Sequence, residues 1–196
     1  MKVRDSGMPE AEYWDSLFNA SMILDRMKLL RNIGTIVEFG SGYGTFTLPL
    51  AKNPKNKIIA FEIEKELVKS LEEKSKMKGF ENIFPIEKDL IGEGTSLISN
   101  SIDYVMIFNL LHHDDPAAIL KEAYRILKPR GTAGLVHWNY DSNTPRGPMM
   151  EIRPKPSQIY AWAKEMNFQI ESSRPIDLPP YHYGFIVSKE YSLQKK

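Results

Sequence analysis

The stretch VEFGSGYGT, residues 37–45, decides the fold, because it joins an apolar strand to a glycine-rich turn. The residues that lead up to Phe39 are mostly β-branched or aromatic, which is typical of a strand, and a helix is expected after the turn. Glycine adopts backbone conformations that a Cβ would block, and it lets a ligand lie against the main chain. The stretch therefore predicts a ligand-binding turn at the carboxyl end of the first strand.

Strands and helices alternate around this turn. Residues 65–78 have the pattern of an amphipathic helix that stops at Gly79. Asp115 followed by Pro116 is typical of a helix start, and Pro129 is expected to end that helix. Such alternation predicts an α/β fold with a Rossmann-like, doubly wound and mostly parallel sheet, which binds ligands at the carboxyl ends of its strands. The predicted strands are residues 35–39, 57–61, 83–86, 102–108 and 133–138.

The last third of the chain departs from this alternation. Ser157 is expected to cap a helix. Residues 168–174 and 185–188 then have strand character, and the connection 175–184 is too short for a crossover helix. The sequence therefore predicts an antiparallel final pair of strands.

Composition limits both the number of domains and the chemistry. The chain has 196 residues, which is enough for one well-buried core and too few for two ordinary domains. With 26 Lys and Arg against 25 Asp and Glu, the net charge of +1 gives no global field to hold a polyanion such as nucleic acid. The absence of cysteine excludes disulfides, thiolate metal sites and a cysteine nucleophile. No apolar run is long enough to span a membrane, so a cytoplasmic location is expected.

Acidic residues stand at the ends of the first three predicted strands. Glu38 lies just before the first glycine, where its carboxylate would hold a cationic amine and repel a pyrophosphate. Glu62 closes the second strand, about 20 residues farther on, where an acid accepts hydrogen bonds from ribose hydroxyls. Asp89 closes the third strand, where it could accept a hydrogen bond from the exocyclic amine of a base. An amine, a ribose and a base without phosphate are the inventory of S-adenosylmethionine.

Two other functions remain open on these residues. A nicotinamide-dependent oxidoreductase could use the same kind of turn, although Thr45 stands where the dinucleotide fingerprint asks for glycine or alanine. A non-catalytic protein that binds S-adenosylmethionine is the second alternative, because no residue is an unambiguous catalytic base.

At these residues the chain resembles the class I S-adenosylmethionine-dependent methyltransferases of the small single-domain type. The family pattern of an acid and three alternate glycines falls on Glu38, Gly40, Gly42 and Gly44. Residues 101–113 resemble the fourth strand of the family and its exit, and residues 123–132 resemble the helix and turn before its fifth strand. The resemblance implies a seven-stranded, mostly parallel sheet with an antiparallel last strand and N-terminal helices as cover.

The resemblance also implies a site. The cofactor would be S-adenosylmethionine, with S-adenosylhomocysteine as the product, and no metal is expected. His113 and His137, which follow or end strands on the ligand side, are the candidate catalytic residues. The implied cofactor contacts are Glu38, Gly40, Ser41, Gly42, Gly44, Glu62, Ile63, Asp89, Leu90 and Asn109.

The expected organisation is one methyltransferase domain over residues 1–196. Residues 1–32 would form a helical cover, residues 33–138 the cofactor-binding core, and residues 139–196 a substrate loop, a helix and the final strand pair. Within the loop 140–156, Arg146, Arg153 and Lys155 could bring positive charge to an acidic group on the acceptor; a solvated connector is the alternative. The expected partner is a small-molecule methyl acceptor, without nucleic acid or membrane, and the chain would be a monomer or homodimer.

Overall fold

A computed structural model describes residues 9–31 and 33–190 and contains one mixed sheet with helices on both faces. The parts of the predicted cover at 1–8 and 32, and residues 191–196 of the predicted C-terminal part, lie outside the described residues. The helices are α1 (Ala11–Ser16), α2 (Ala20–Arg26), α3 (Thr47–Ala51), α4 (Lys65–Met77), α5 (Leu90–Glu93), α6 (Pro116–Ile126) and α7 (Pro156–Glu165). The strands are β1 (Thr35–Phe39), β2 (Lys57–Glu62), β3 (Ile83–Glu87), β4 (Ile102–Phe108), β5 (Leu127–Trp138), β6 (Phe168–Ile170), β7 (Ile176–Leu178) and β8 (His182–Lys189).

The sheet confirms the predicted doubly wound topology. Its strand order is β3-β2-β1-β4-β5-β8-β6, and β1 to β5 are parallel to one another. Strand β8 is antiparallel to β5, and both β6 and β7 pair with the outer side of β8. The sheet thus has eight strands in seven positions, because the last position is divided between two short strands.

Side-chain alternation along the strands produces two hydrophobic cores, one on each face. On β1, Ile36 belongs to the core that α2, α3 and α4 cover, and Val37 belongs to the core that α6 and α7 cover. Residues two apart on a strand point to the same face, so the parity of each strand residue decides which layer it contacts. The two-sided cover explains why the central strands are apolar throughout.

Local signals account for the boundaries of the two longest crossover helices. Helix α4 gives way to Gly79, whose φ of +67° is the left-handed conformation that glycine adopts at low cost. Helix α6 begins where the Asp115 carboxylate accepts a hydrogen bond of 2.9 Å from the amide of Ala118. It ends at Ile126, earlier than Pro129, because the chain already pairs as β5 from Leu127.

The C-terminal elements differ in detail from the sequence predictions. Helix α7 begins at Pro156 with Lys155 in the capping position, so the prediction of Ser157 as cap is wrong. Proline is favoured at the first helical position, where its missing N–H has no partner to lose. The final strands are antiparallel as predicted, but the segment 168–174 pairs only as far as Ile170, and a strand forms at Ile176 within the predicted connection.

The N-terminal helices cover one face of the sheet. Helix α2 buries Ile23 and Leu24, and the buried Tyr104 of β4 donates a hydrogen bond of 2.8 Å to the carbonyl of Met27. Gly134 of β5 leaves room for this hydroxyl, because a Cβ at Gly134 would lie 2.4 Å from it.

In the part of the chain that the structure describes, no helix combines the length and hydrophobicity needed to cross a membrane.

We predict that Tyr104→Phe lowers the free energy of unfolding by about 1–2 kcal/mol, because the buried carbonyl of Met27 loses its donor. Gly134→Ala should cost roughly 1–3 kcal/mol through the collision with the hydroxyl. The double variant should lose less than the sum, since the colliding atom is gone. Urea unfolding of the wild type, the two single variants and the double variant measures these free energies. Strictly additive losses would contradict the contact between Tyr104 and Gly134. Tyr124→Phe, which removes a hydroxyl elsewhere, serves as a control.

Candidate functional site

The glycine turn after β1 is held against the end of β2. Gly40, Gly42 and Gly44 have φ values of +73°, +52° and +82°, a region that side chains with a Cβ rarely enter. The amides of Gly40 and Ser41 both donate to the carbonyl of Phe61, each at 2.9 Å. The turn therefore needs its glycines for a backbone path that β2 itself stabilises.

The Glu62 carboxylate completes this attachment. One oxygen accepts from the amide of Gly42 at 2.8 Å, and the other accepts from the amides of Ile63 at 2.8 Å and Glu64 at 3.1 Å. The side chain is 8% exposed, and it forms part of the wall of a cleft. A carboxylate offers about four lone-pair sites, so Glu62 can still accept from a ligand.

A cleft of about 630 Å³ opens at the carboxyl ends of the parallel strands. It extends from the end of β3 past the glycine turn to the end of β5, with α1 and the loop after β5 on its outer side. Most of the predicted cofactor contacts line it: Gly40, Ser41, Gly42, Glu62, Ile63, Asp89, Leu90 and Asn109. It is also lined by Trp14, Tyr43, Thr45, Phe46, Phe61, Glu64, Leu67, Lys88, Ile91, Phe108, Leu110, His112, Trp138, Arg146, Gly147 and Pro148.

Two buried polar atoms on the cleft residues lack protein partners. Within the described residues, neither Ser41 Oγ nor Asn109 Oδ1 makes a hydrogen bond. Asn109 has a φ of +55°, and its backbone N–H donates a hydrogen bond to the carbonyl of Val136 at 2.8 Å. Since a buried polar atom without a partner costs about 1–3 kcal/mol, these two atoms mark where a polar ligand would be stabilised.

Asp89 lies at the β3 end of the cleft and caps the short helix α5. One oxygen accepts from the amides of Ile91 at 3.1 Å and Gly92 at 3.0 Å. The hydrogen bond from Gly92, with a smaller contribution from Ile91, lowers the pKa of Asp89. The side chain is therefore an ionised acceptor with a fixed orientation at the cleft.

Glu38 lies beneath the turn and is not part of the cleft wall. It is 2% exposed and accepts a hydrogen bond from the hydroxyl of Thr47 in α3. Burial raises the pKa of Glu38 to about 8, the Thr47 hydrogen bond acts against this, and the charge of Glu62 adds to it. Gly44 likewise lies off the cleft wall, and a Cβ there would lie 2.8 Å from Leu71.

The histidines are arranged differently from the sequence expectation. His113 accepts a hydrogen bond of 3.1 Å from the amide of Asp115 and does not line the cleft. His137 is fully buried, on the face of β5 opposite to Trp138, and Trp138 lines the cleft. The imidazole that forms part of the wall is His112, whose Nδ1 lies 3.3 Å from Nε2 of His137. Sequence position alone did not separate His112 from His113.

The N-terminal cover reaches the cleft through α1. Trp14 is a wall residue, and its ring lies 6.1 Å from that of Trp138. Two hydrogen bonds attach the cover to the glycine turn: the Tyr43 hydroxyl donates to the Pro9 carbonyl, and the Thr45 hydroxyl donates to Asp15 at 2.6 Å. The helix is thus fixed to the same turn that forms the floor of the cleft.

The loop after β5 folds over the other end of the cleft around a buried arginine. The Arg153 guanidinium donates to five groups of the loop: the carbonyls of Asn139, Asp141, Arg146 and Pro148 and the hydroxyl of Thr144. Gly147 passes so close that a Cβ there would lie 2.7 Å from Arg153. Arg153 therefore shapes the loop and does not face an acceptor, whereas Arg146 lines the cleft.

Lys155, the third basic residue of the loop, lies outside the cleft. Its ammonium is 4.9 Å from the centre of the exposed Tyr140 ring. Of the three cations that the sequence analysis singled out, only Arg146 is placed to meet a molecule in the cleft.

Comparison with known proteins agrees with this geometry. The sequence profile of a family described as "Methyltransferase domain" matches residues 36–131. An uncharacterized methyltransferase-like protein of Schizosaccharomyces pombe, C25B8.10, is 30% identical over 118 residues, which are 59% of this chain and 42% of that protein. The ubiquinone/menaquinone biosynthesis C-methyltransferase UbiE of Rickettsia prowazekii is 35% identical over 103 residues, covering 49% of this chain and 41% of the relative. The chain thus aligns with less than half the length of these relatives.

A solved structure supports the fold. The crystal structure of a SAM-dependent methyltransferase from Aquifex aeolicus has a TM-score of 0.77 at 20% identity, over 88% of this chain and 90% of that one. The domain match covers the glycine turn, the three strand-end acids and Asn109. The likeness of the fold extends to the antiparallel strands. The matched profile, the curated relatives and the shared fold together support a class I S-adenosylmethionine-dependent methyltransferase.

Proposed function

We propose that this protein transfers the methyl group of S-adenosylmethionine to a small, planar acceptor molecule. The observation that carries the proposal is the cleft at the carboxyl edge, where Glu62 and Asp89 are fixed acceptors and Ser41 Oγ and Asn109 Oδ1 have no partner among the described residues. These groups match a ligand with ribose hydroxyls, a base and a polar amino-acid end. The residues present therefore fit the cofactor that the family uses.

Each part of the cofactor has a candidate contact. The remaining lone pair of Glu62 would accept a hydrogen bond from a ribose hydroxyl, and Asp89 would accept from the amino group of the base, with Ile63 and Leu90 alongside. Ser41 and Asn109 would bind the amino-acid end. Bound there, S-adenosylmethionine supplies an electrophilic methyl group on a positively charged sulfur.

The position of Glu62 argues against the dinucleotide alternative. The amide of Gly42, which a phosphate would need, already donates to this carboxylate at 2.8 Å. A pyrophosphate beside the glycine turn would meet a negative charge in place of free N–H groups.

In this proposal, the ribose and base contacts lie on one side of the glycine turn and the space for an acceptor lies on the other. Glu62 and Asp89 lie at the ends of β2 and β3, whereas Phe108 and Trp138 lie at the ends of β4 and β5 on the other side of the turn. Trp14 and Phe46 add further aromatic wall. One covered cleft of about 630 Å³ has room for a cofactor and a small molecule, and its aromatic walls suit a flat one.

The protein's contribution to catalysis would be positioning. A fixed turn and two covering elements would hold the acceptor atom in line with the methyl group and exclude water. By name, the Rickettsia relative acts in ubiquinone and menaquinone biosynthesis; a planar ring of that kind would also suit these aromatic walls. The proposal includes a cytoplasmic location, which the absence of cysteine suits, and a monomeric or dimeric state without a membrane partner. It also includes no nucleic-acid partner, because the net charge is only +1.

The first test is calorimetry with S-adenosylhomocysteine. The wild-type protein should bind it, and Glu62→Gln should weaken binding roughly 10- to 100-fold, because charge-assisted hydrogen bonds to the ribose and the anchored turn are lost. The exposed Glu81→Gln should bind as the wild type does. Absence of heat with the wild-type protein would refute the proposed function.

Ser41→Ala should have opposite effects on binding and stability. Removing an unpartnered buried hydroxyl should leave the free energy of unfolding unchanged or raise it by up to about 1 kcal/mol, while the affinity for S-adenosylhomocysteine falls. Thermal unfolding with and without the ligand gives both quantities. A loss of stability in the ligand-free variant would show that the hydroxyl has a structural partner.

Glu38→Gln should change how stability depends on pH. Because the folded-state pKa is raised from 4.5 to about 8, protonated Glu38 favours folding, and this contribution is lost as the pH rises from about 5 to 8. The wild type should lose up to about 1.4 kcal/mol per pH unit relative to the variant over that window. Urea unfolding at pH 5, 6, 7 and 8 measures the difference, and parallel curves would contradict the burial of an acid whose pKa is raised.

A further inference from the structure

Two histidine rings meet at the acceptor end of the cleft. His112 follows β4, His137 belongs to β5, and the hydrogen-bonding contact between Nδ1 of His112 and Nε2 of His137 is 3.3 Å long. The rings are nearly perpendicular, at 73°. His112 forms part of the wall, whereas His137 is fully buried behind it. This pair belongs to the β4–β5 side, away from Glu62 and Asp89.

Both rings are neutral near pH 7. Burial, followed by the charge of His113, lowers the pKa of His112 to about 4. Burial, followed by the charge of His112, lowers the pKa of His137 well below its ordinary value. The charges of His182 and Arg153 also lower it, whereas hydrogen bonding by the Trp138 backbone raises it. Two neutral rings share one N–H in their contact, so the tautomer of one decides the tautomer of the other.

The environment of His137 favours one of the two arrangements. Its Nδ1 is buried and makes no hydrogen bond of normal geometry with the described residues; the Trp138 backbone is near enough to affect the pKa of the ring but does not meet that geometry. Orphaned buried N–H groups are rare in proteins, so we place the proton of His137 on Nε2 and leave the lone pair on Nδ1. His137 then donates to Nδ1 of His112, and His112 must carry its own proton on Nε2, the nitrogen on the far side of the ring.

The surroundings of His112 restrict what this N–H can contact. Within the described part of the chain, Nε2 makes no hydrogen bond to protein, and the cleft that His112 lines also has the aromatic wall residues Trp14, Phe46, Phe108 and Trp138. Among the described wall residues that follow β4 and β5, the polar side chains are Asn109, which is proposed to bind the cofactor, Arg146 and His112. A general base would need a lone pair towards the acceptor and a pKa near the working pH, and His112 has neither.

We propose that His112 is the residue that orients the methyl acceptor, by donating a hydrogen bond from Nε2 to an oxygen of a planar substrate, and that His137 is the positioning residue that fixes this tautomer. The inference rests on the proposed function. It names the acceptor class as flat molecules with a carbonyl, carboxylate or phenol oxygen. No proton moves to or from His112 in the reaction.

The tautomer can be measured without any substrate. In protein labelled with ¹⁵N-histidine, ring correlations should show the His112 proton on Nε2 and no titration of His112 between pH 8 and 5, with or without S-adenosylhomocysteine. His137→Phe should allow both tautomers at His112, while His113→Phe, the matched control, should leave the tautomer unchanged. A proton on Nδ1 of His112, or titration near pH 6.5, would overturn the proposal.

The donor role is tested with phenol, benzoate and toluene as probes of similar size, added to protein saturated with S-adenosylhomocysteine. The Nε2–H resonance of His112 should move with phenol and benzoate and not with toluene. His112→Gln keeps an N–H donor and should bind phenol and benzoate within about threefold of the wild type, whereas His112→Leu should bind them about tenfold more weakly. Equal losses in the two variants, or equal responses to all three probes, would refute a donor.

Failure of this inference can be distinguished from failure of the proposed function. Glu62 and Asp89, the proposed ribose and base contacts of S-adenosylhomocysteine, lie at the ends of β2 and β3, and His112 is not among the proposed cofactor contacts. His112→Gln and His112→Leu should therefore both retain the wild-type affinity in calorimetry. If the wild type does not bind the cofactor product, the function fails, whereas the tautomer measurement in the free protein still tests His112 and His137.

Discussion

The geometry of the cleft depends on the contact between the Glu62 carboxylate and three backbone amides, one in the glycine turn and two directly after β2. This anion accepts from amides before and after β2 and thereby fixes the glycine turn against the strand end. At the β5 end of the cleft, a buried cation has the corresponding role. The Arg153 guanidinium donates hydrogen bonds to carbonyls of the loop after β5 and thereby holds that loop. A buried charge is costly unless hydrogen-bonded, so each ion holds its backbone segment in a single arrangement.

Much of the fold could be predicted, because its signals are local. The bounds of β1 and β4 follow from runs of β-branched and aromatic residues, and Asp115 with Pro116 marks the start of α6. The failures occur where tertiary pairing decides. The strand predicted at 168–174 leaves the sheet after Ile170, and the helix cap predicted at Ser157 lies inside α7, because Pro156 already occupies its first position.

In the candidate site, too, the positions of strand-end residues could be predicted and those of loop residues could not. The positions of Glu62 and Asp89 in the cleft wall could be predicted, because parallel strands bring their carboxyl ends to one edge of the sheet. Side-chain alternation along β5 also explains why Trp138 lines the cleft and His137 does not. Loop side chains follow no such rule: nothing local distinguishes His112 from His113, or shows that Arg153 turns inward. Glu38 has the right position in sequence, but its parity directs it beneath the turn towards Thr47.

The division of the outer strand into β6 and β7 has a consequence for solubility. Between Ile170 and Ile176 the chain advances six residues while β8 advances three, from Val187 to Gly184, so the outer strand bulges. A bulged, short edge offers little continuous main chain for another molecule to pair with. At the opposite margin, β3 contains Pro85, which has no N–H to donate. Both open margins of the sheet thus resist intermolecular strand addition, and the fold carries its own protection against aggregation.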